Sequence, residues 1–334
     1  MSSARTGLNI AILSAAHLHA DSYARVLNGL PSATLAALWD DDVARGQAKA
    51  AAWGTTFEPD LDTALRGCDA VIVCAENARH RELTLAAARA GRHALCEKPL
   101  ATTVEDAREM VRACKEAGVL LGTAFPVRQS SAIFALRDTV RSGALGRVLM
   151  IRGTNRGTNP GGWFVDKALS GGGALTDHTV HVVDAIRFVT GEEITSVYAE
   201  ADTLVYPDLG VEDCGLLIMT LSGGGIASLD PSWSRPNQAF PIWGDVTMQV
   251  TGTNGVATFD YLAQHTRLYR NSAVRAAQIG WGEDGDALLI ADFVDAVRDG
   301  RSPLASGEDG LRAVEVVQAA YASIASGQPV AVAR

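Results

Sequence analysis

The chain has 334 residues, 47% hydrophobic and 20% charged, which is enough material for two cores in an ordinary globular protein. Its net charge of −9 and isoelectric point near 5.3 argue against nucleic acid or an anionic membrane as a main partner. No apolar run approaches the roughly 20 residues that span a bilayer, and the start Met1–Gly7 contains no signal-peptide pattern, so a cytoplasmic protein is expected.

The first third alternates short apolar runs with helical patterns. Leu8 to Leu13 reads as a strand, and Ala20 to Leu30 as a helix stopped by Pro31. Thr34 to Trp39 is the next strand and Val43 to Trp53 the next helix; a short run at Thr55 to Phe57 precedes a helix around Asp62 to Arg66. Ala70 to Cys74 is again a strand, followed by a helix at His80 to Ala90, a strand at His93 to Cys96, a helix at Val104 to Ala117 and a strand at Leu120 to Ala124. Strands without alternation, separated by helices, indicate a parallel sheet covered on both faces. The expectation is a doubly wound α/β (Rossmann) domain over residues 1–123.

Beyond Ala124 the pattern changes to an α+β domain over residues 124–334. A helix at Ser131 to Ser142, a strand at Val148 to Arg156 and a Gly/Asn-rich loop at Gly153 to Gly162 lead into a helix from about Gly173 to Val189. Strand-like runs follow at Ser196–Leu204, Asp213–Thr220, Gly225–Trp233, Asp245–Gly252, Gly255–Tyr261 and His265–Tyr269. Ser222-Gly223-Gly224-Gly225 and Thr253-Asn254-Gly255 read as hairpin turns. A large, mostly antiparallel open sheet with helices on one face is expected, closed by helices at Asp286–Asp299 and Gly307–Ser326. An open sheet face is commonly covered by a second copy, so a homodimer or homotetramer through this sheet is expected.

Chemistry-bearing residues fall at three places. The turn after the first strand, Leu13-Ser14-Ala15-Ala16-His17-Leu18-His19, stands where a dinucleotide fold carries its glycine fingerprint. Ser14, Ala16 and His19 occupy the glycine positions; the small Ser14 and Ala16 permit a tight turn, whereas His19 is harder to accommodate. The second strand ends in Trp39-Asp40-Asp41-Asp42. A carboxylate there accepts hydrogen bonds from the adenosine ribose and repels a 2′-phosphate, which favours NAD over NADP, with Asp40 as the acid that directly follows the apolar run. The plain alternative makes these acids a helix cap, and both roles can hold, with Asp40 on the ribose and Asp42 capping.

The second place is Cys96-Glu97-Lys98-Pro99-Leu100. Proline stops the strand and presents Lys98 at its carboxyl end, where open α/β sheets bind ligands. The chain has only four lysines among 29 basic residues. A solvated loop lysine is the plain alternative. Cys96 reads as a small strand residue rather than a reactive thiol, and the five irregularly spaced cysteines as reduced and mostly buried.

The third is Gly171-Gly172-Gly173-Ala174-Leu175-Thr176-Asp177-His178-Thr179-Val180-His181-Val182-Val183-Asp184. On the helix after the glycines, Asp177, His181 and Asp184 share one face, and a carboxylate one turn from an imidazole supports a general base. A metal held by Asp177, His178 and His181 is the rival reading, weakened because adjacent helical residues diverge by about 100°. No metal is expected.

Glu97-Lys98-Pro99 after the fourth strand of the fold, with Gly-Gly-Gly-x-x-x-Asp-x-x-x-His-x-x-Asp about 75 residues later, resembles the Gfo/Idh/MocA family, named for glucose–fructose oxidoreductase, inositol dehydrogenase and a rhizopine-catabolism protein. The resemblance extends to Ala87-Ala88-Arg89-Ala90-Gly91-Arg92-His93 and to Ser306-Gly307-Glu308-Asp309-Gly310, while the glycine turn departs from the family pattern. It implies an NAD-dependent dehydrogenase acting on a secondary hydroxyl of a sugar, cyclitol or related polyol. By that resemblance Lys98, Asp177 and His181 form the catalytic set: His181 takes the hydroxyl proton as hydride leaves carbon, Lys98 steadies the developing alkoxide, and Asp177 orients the substrate. Imidazoles titrate near pH ~6.5, which suits that transfer.

Further contacts are expected around these groups. Ser14, Ala16, His17, Leu18, Ala75, Glu76, Asn77, His80, Glu97 and Lys98 should line the cofactor; His17 is favoured at the nicotinamide, His19 is left open, and Glu76 could equally be a helix-start acid. Phe125 and Arg128, then Arg156, Asn159 and Trp163 in the polar loop, suit a polyhydroxyl ligand, although packing fits Trp163 better. Two other functions fit the same residues. One retains NAD and recycles it in a lyase, hydrolase or epimerase step through a keto intermediate; the other is a non-catalytic dinucleotide-binding protein.

Overall fold

The structure is a computed structural model and describes residues 7–273 and 275–333, so the reading of residues 1–6 lies outside the described residues. The chain forms two compact units: residues 1–126 with 284–311, and residues 127–283 with 312–334.

The first unit follows the alternation of the sequence. Its elements are β1 (Leu8–Leu13), α1 (Ala20–Gly29), β2 (Ala33–Trp39), α2 (Val43–Trp53), β3 (Thr56–Phe57), α3 (Leu61–Arg66), β4 (Ala70–Val73), α4 (His80–Arg89), β5 (His93–Cys96), α5 (Val104–Glu116) and β6 (Leu121–Thr123). The six strands pair in the order β3-β2-β1-β4-β5-β6, every pair parallel. Strand β4 is buried along its whole length, as a strand covered on both faces must be. Helix starts fall where side chains cap them: Asp42 accepts from the Arg45 N–H, Asp60 from that of Thr63 and Thr103 from that of Asp106. Strand order reverses between β1 and β4, the switch point at which such sheets bind ligands.

The second unit holds α6 (Ser131–Arg141), β7 (Val148–Thr154), α7 (Lys167–Ser170), α8 (Ala174–Thr190), β8 (Ile194–Asp202), β9 (Cys214–Leu221), β10 (Ile226–Asp230), β11 (Thr247–Gly252), β12 (Val256–Asp260), β13 (His265–Leu268) and β14 (Ala277–Gly280). The chain returns to the first unit in α9 (Gly285–Asp299), runs through α10 (Gly307–Ser326) and ends in β15 (Val330–Ala331). The large sheet has the order β12-β11-β7-β10-β9-β8-β15 and is antiparallel except for the β7–β10 pair. That pair is joined by a long excursion rather than a hairpin, which frees it to run parallel. The turns at Ser222–Gly225 and Thr253–Gly255 close antiparallel pairs.

Alternation sets the faces of this sheet. On β9, Leu217, Met219 and Leu221 are buried while Leu216 and Ile218 are exposed. His265–Leu268 does not join the sheet; it pairs with Ala277–Gly280 in a separate ribbon that lacks a buried face. No helix among the described residues is long and apolar enough to cross a membrane.

Candidate active site

The turn between β1 and α1 is built by backbone conformation and by Asp40. Ser14 adopts φ 69°, the one positive φ among the described non-glycine residues, so the first fingerprint position keeps the left-handed geometry that glycine usually supplies. The Ser14 N–H donates to the Trp39 carbonyl at 2.6 Å and the His17 N–H to that of Cys74 at 2.9 Å, tying the turn to β2 and β4. Ser14 Oγ accepts from the Ala16 N–H at 3.2 Å.

Asp40 is buried, and both its oxygens are occupied within the protein. Oδ2 accepts from the Ala15 N–H at 2.8 Å and Arg45 Nε at 2.9 Å; Oδ1 accepts from the Asp42 N–H at 3.0 Å and Arg45 Nη2 at 2.6 Å. Asp40 is thus the brace between turn and β2. The neighbouring Asp41 is 47% exposed and pairs with Arg79 at 2.5 Å. Asp42 caps α2, as the sequence indicates.

The segment after β5 carries a polar knot. Glu97 is fully buried, and its Oε1 accepts from the Tyr23 hydroxyl at 2.5 Å and lies 2.9 Å from His19 Nδ1 and 3.6 Å from His17 Nδ1. Its Oε2 accepts from the Lys98 N–H at 3.1 Å, fixing the backbone that presents the lysine. Burial opposes ionisation of Glu97, but His17 and His19 outweigh it and hold the carboxyl well below its usual range. His17 behaves in the opposite way: burial pushes its imidazole down to about 3 despite Glu97, and its Nδ1 accepts from the His19 N–H at 3.2 Å. The more accessible ring of the turn is that of His19, 34% exposed. Burial opposes charge on His19 too, yet Glu97 wins and its pKa rises.

Lys98 is itself buried and joined to Pro99 by a cis bond. His80 is fully buried, with Nδ1 2.9 Å from the Pro99 carbonyl and Nε2 3.1 Å from that of Ala75; it bridges the ends of β4 and β5, and burial lowers its pKa. Ala75 and Asn77 are buried beside it, Glu76 Oε1 stands 3.8 Å from Arg45 Nη1, and Leu18 is exposed at the turn. Phe125 is buried just after β6. Cys96 is buried, and burial lifts its thiol well above the usual range, in keeping with an inert strand residue.

In the second unit the glycines permit a far carboxylate to cap α8. Glu212 Oε1 accepts from the Gly173 N–H at 2.9 Å, the Leu175 N–H at 3.1 Å and the Tyr321 hydroxyl at 2.7 Å, and the Glu212 carbonyl accepts from the Ala174 N–H at 2.9 Å. A Cβ on Gly173 would collide with that carbonyl. The cap places Asp177 in the first turn, where its Oδ2 accepts from the Trp233 indole N–H at 3.1 Å and lies 3.2 Å from His178 Nε2. Adjacent helical positions diverge, but the Pro231 carbonyl, 2.9 Å from His178 Nδ1, turns the ring back toward Asp177. His181 is buried one turn further along.

Other expected contacts are committed to neighbours. Asp184 is buried in a bidentate pair with Arg128, one arm at 2.9 Å. Arg156 Nη2 lies 3.2 Å from Asp245, which Arg235 also grips. Asn159 shapes its own turn, its Oδ1 accepting from the Gly161 N–H at 2.8 Å. Trp163 stacks on Phe164 with ring centroids 3.9 Å apart, the packing role the sequence favours. Sequence reasoning missed Tyr23, Arg45, Glu212 and Trp233. Only the first two had a local signal: Tyr23 lies one turn after His19, and Arg45 lies five residues after Asp40.

The turn fits a dinucleotide. Its first position keeps the left-handed conformation, Ala16 is small, it lies at the switch point, and it leads into the start of α1, where a diphosphate is bound in such folds. Among the described residues, Asp177, His178 and His181 form no metal-type cluster; the one such cluster is His17, His19 and Glu97.

A family profile described as oxidoreductase family, NAD-binding Rossmann fold, matches residues 8–125, and one described as GFO/IDH/MocA C-terminal domain matches residues 133–258. The chain is 33% identical over 271 residues to 1,5-anhydro-D-fructose reductase of Ensifer adhaerens, covering 78% of each chain. It is 29% identical over 266 residues to myo-inositol 2-dehydrogenase of Thermotoga maritima, covering 77% of each. Its fold is similar to the crystal structure of GenD2 from gentamicin A biosynthesis in complex with NAD, with TM-score 0.90 and 28% identity over 100% of this chain and 98% of that one. With both family domains in order and 33% identity to one relative over 271 residues, the chain belongs to the Gfo/Idh/MocA family and is an NAD(P)-dependent dehydrogenase.

Proposed function

We propose that the chain transfers hydride between a secondary hydroxyl of a sugar, cyclitol or related polyol and nicotinamide, with Lys98, Asp177 and His181 as its catalytic set. The observation that carries this reading is Lys98 at the carboxyl end of β5, its backbone N–H held by the buried carboxylate of Glu97. The names of the relatives supply the substrate class, one a reductase of an anhydrosugar and the other a dehydrogenase of a cyclitol.

When bound, the nicotinamide supplies the hydride acceptor. On the protein's side, the Lys98 ammonium steadies negative charge on the substrate oxygen as its C–H bond breaks. His181 takes the proton of the hydroxyl, so that the carbon, on giving up its hydride, becomes a carbonyl. Asp177, fixed by Trp233 and His178, accepts a hydrogen bond from a neighbouring hydroxyl and sets the orientation.

NAD is the preferred cofactor in this reading. Asp40 is committed to Ala15, Asp42 and Arg45, so the discrimination falls to the exposed Asp41, whose charge disfavours a 2′-phosphate. Calorimetric titration with NAD and NADP tests this directly. Tighter binding of NADP would overturn it. Turnover of a sugar without added cofactor, by protein that carries NAD when purified, would replace net oxidation with the recycling reaction.

A further inference from the structure

His19 stands at the third glycine position of the fingerprint and is the residue immediately before α1. In dinucleotide folds the diphosphate sits at this helix start. The glycine normally found there offers no side chain; this chain offers an imidazole with one nitrogen committed and one not. His19 Nδ1 lies 2.9 Å from Glu97 Oε1, and the Tyr23 hydroxyl donates to the same oxygen at 2.5 Å, so Nδ1–H is the donor toward Glu97. That bond turns Nε2 away from the carboxylate. The ring is 34% exposed, and Nε2 makes no hydrogen bond among the described residues. The N–H of Leu18, in the same turn, is likewise unbonded among them.

We propose that His19, anchored by Glu97, binds the diphosphate of the dinucleotide through Nε2–H and supplies the contact that the glycine-poor turn lacks. The inference rests on the dinucleotide-binding reading above. A metal does not explain the same cluster: His17 Nδ1 already accepts from the His19 N–H at 3.2 Å, and Glu97 Oε1 already takes Tyr23 and His19.

A contact through Nε2–H needs the protonated ring, because Glu97 already holds the proton on Nδ1. Cofactor affinity therefore falls as pH rises through the His19 transition, which Glu97 has shifted upward. The charged groups facing His19 are His17 from the turn, Tyr23 from α1, Glu97 and Lys98 after β5, and Asp286 from α9. His17 is held down to about 3 by burial and stays neutral near pH 7; Tyr23 is raised well above its usual value and Glu97 is held well below its own. Asp286 is raised by burial and is the one neighbour whose titration could act in the same direction.

The test is calorimetric titration with ADP-ribose, whose diphosphate stays doubly ionised throughout, and with adenosine, between pH 6 and 8.5, on the wild type and His19→Gln. ADP-ribose is expected to bind the wild type more tightly at pH 6 than at 8.5. It should bind His19→Gln roughly tenfold more weakly at pH 6 and without pH dependence. Adenosine should show neither effect. Equal ADP-ribose affinity at both pH values, or unchanged affinity in His19→Gln, overturns the proposal. So does a pH dependence that survives in His19→Gln, which would belong to Asp286. If His19→Gln does not fold, the same ADP-ribose comparison on Asp286→Asn decides: a pH dependence that persists there supports His19, and one that vanishes overturns the proposal. Failure of the wild type to bind NAD at any pH would instead sink the dinucleotide reading itself.

Discussion

Arg45 grips Asp40 with two donors, Nε to Oδ2 at 2.9 Å and Nη2 to Oδ1 at 2.6 Å, and reaches Ser14 Oγ at 3.3 Å with the same Nη2. One guanidinium therefore locks the acid at the end of β2 to the first residue of the fingerprint turn. Removing the acid leaves Arg45 and two backbone N–H groups without their acceptor.

Asp40→Ala is expected to lower stability by about 3 kcal/mol and to weaken NAD and NADP alike, because it loosens the turn rather than deleting a ribose contact. Asp41→Asn should stay within about 0.5 kcal/mol of the wild type and shift affinity toward NADP. Chemical denaturation and paired titrations separate the two. A selective loss of NAD in Asp40→Ala with unchanged stability would return the ribose role to Asp40.

Trp233 is fully buried and donates its indole N–H to Asp177 at 3.1 Å. Trp233→Phe keeps much of the packing but removes the donor, which should cost about 1–2 kcal/mol in denaturation. It is expected to lower kcat more than it raises KM, since Asp177 keeps its place through His178 but loses its orientation. Unchanged kcat would make Trp233 a packing residue only.

Stability should peak near neutral pH. A histidine whose folded pKa is raised contributes stability that is complete below the unfolded value of about 6.5 and lost as pH rises through the folded value, and His19 is such a group. His17, held at about 3, and His80, lowered by burial, act in the opposite sense and destabilise the fold as pH drops below about 6.5. Glu97, well below its usual range, adds to the acid loss as it protonates. In melting curves across pH, His19→Gln should flatten the alkaline limb, and it should also alter the part of the acid limb that Glu97 supplies, because His19 helps to hold that carboxyl low. An alkaline limb identical to that of the wild type would contradict this assignment.

The exposed apolar residues Leu216, Ile218 and Ile226 lie on strands β9 and β10 of the large sheet. A second copy covering this face is the oligomer the sequence leads one to expect. Sedimentation should show a dimer or tetramer, and Ile218→Lys should shift it toward monomer. A wild-type monomer at micromolar concentration would rule this out.

Both sheets were legible because burial leaves a mark on sequence. Uninterrupted runs such as Ala70–Val73 belong to strands covered on two faces; Cys214–Leu221 is legible as a strand but not by its faces, because apolar Leu216 and Ile218 on the exposed side alternate with the buried Leu217 and Met219. Lys98 and the glycines before α8 were legible as positions, since proline and glycine constrain the backbone locally. Partners distant in sequence were not. His19 meets Glu97 across 78 residues, and Glu212 caps α8 from 39 residues away, so neither pairing leaves a spacing to read. Asp40 was read as a ribose ligand from its place after an apolar run. Arg45, only five residues on, commits its carboxylate, and the first turn of α2 brings the guanidinium back onto it. The short ribbon Ala277–Gly280 escaped notice because it has no buried face to impose a pattern.

Hydride transfer with Lys98 in the reacting set can be checked by one paired measurement. Absorbance at 340 nm is followed with NAD and a panel of sugars and cyclitols, for the wild type and Lys98→Ala, alongside calorimetric NAD binding. A rise with at least one polyol is expected for the wild type, and for Lys98→Ala a rate lower by at least about a hundredfold with NAD affinity largely kept. Full turnover by Lys98→Ala, or NAD binding by the wild type with no polyol oxidised, would contradict it.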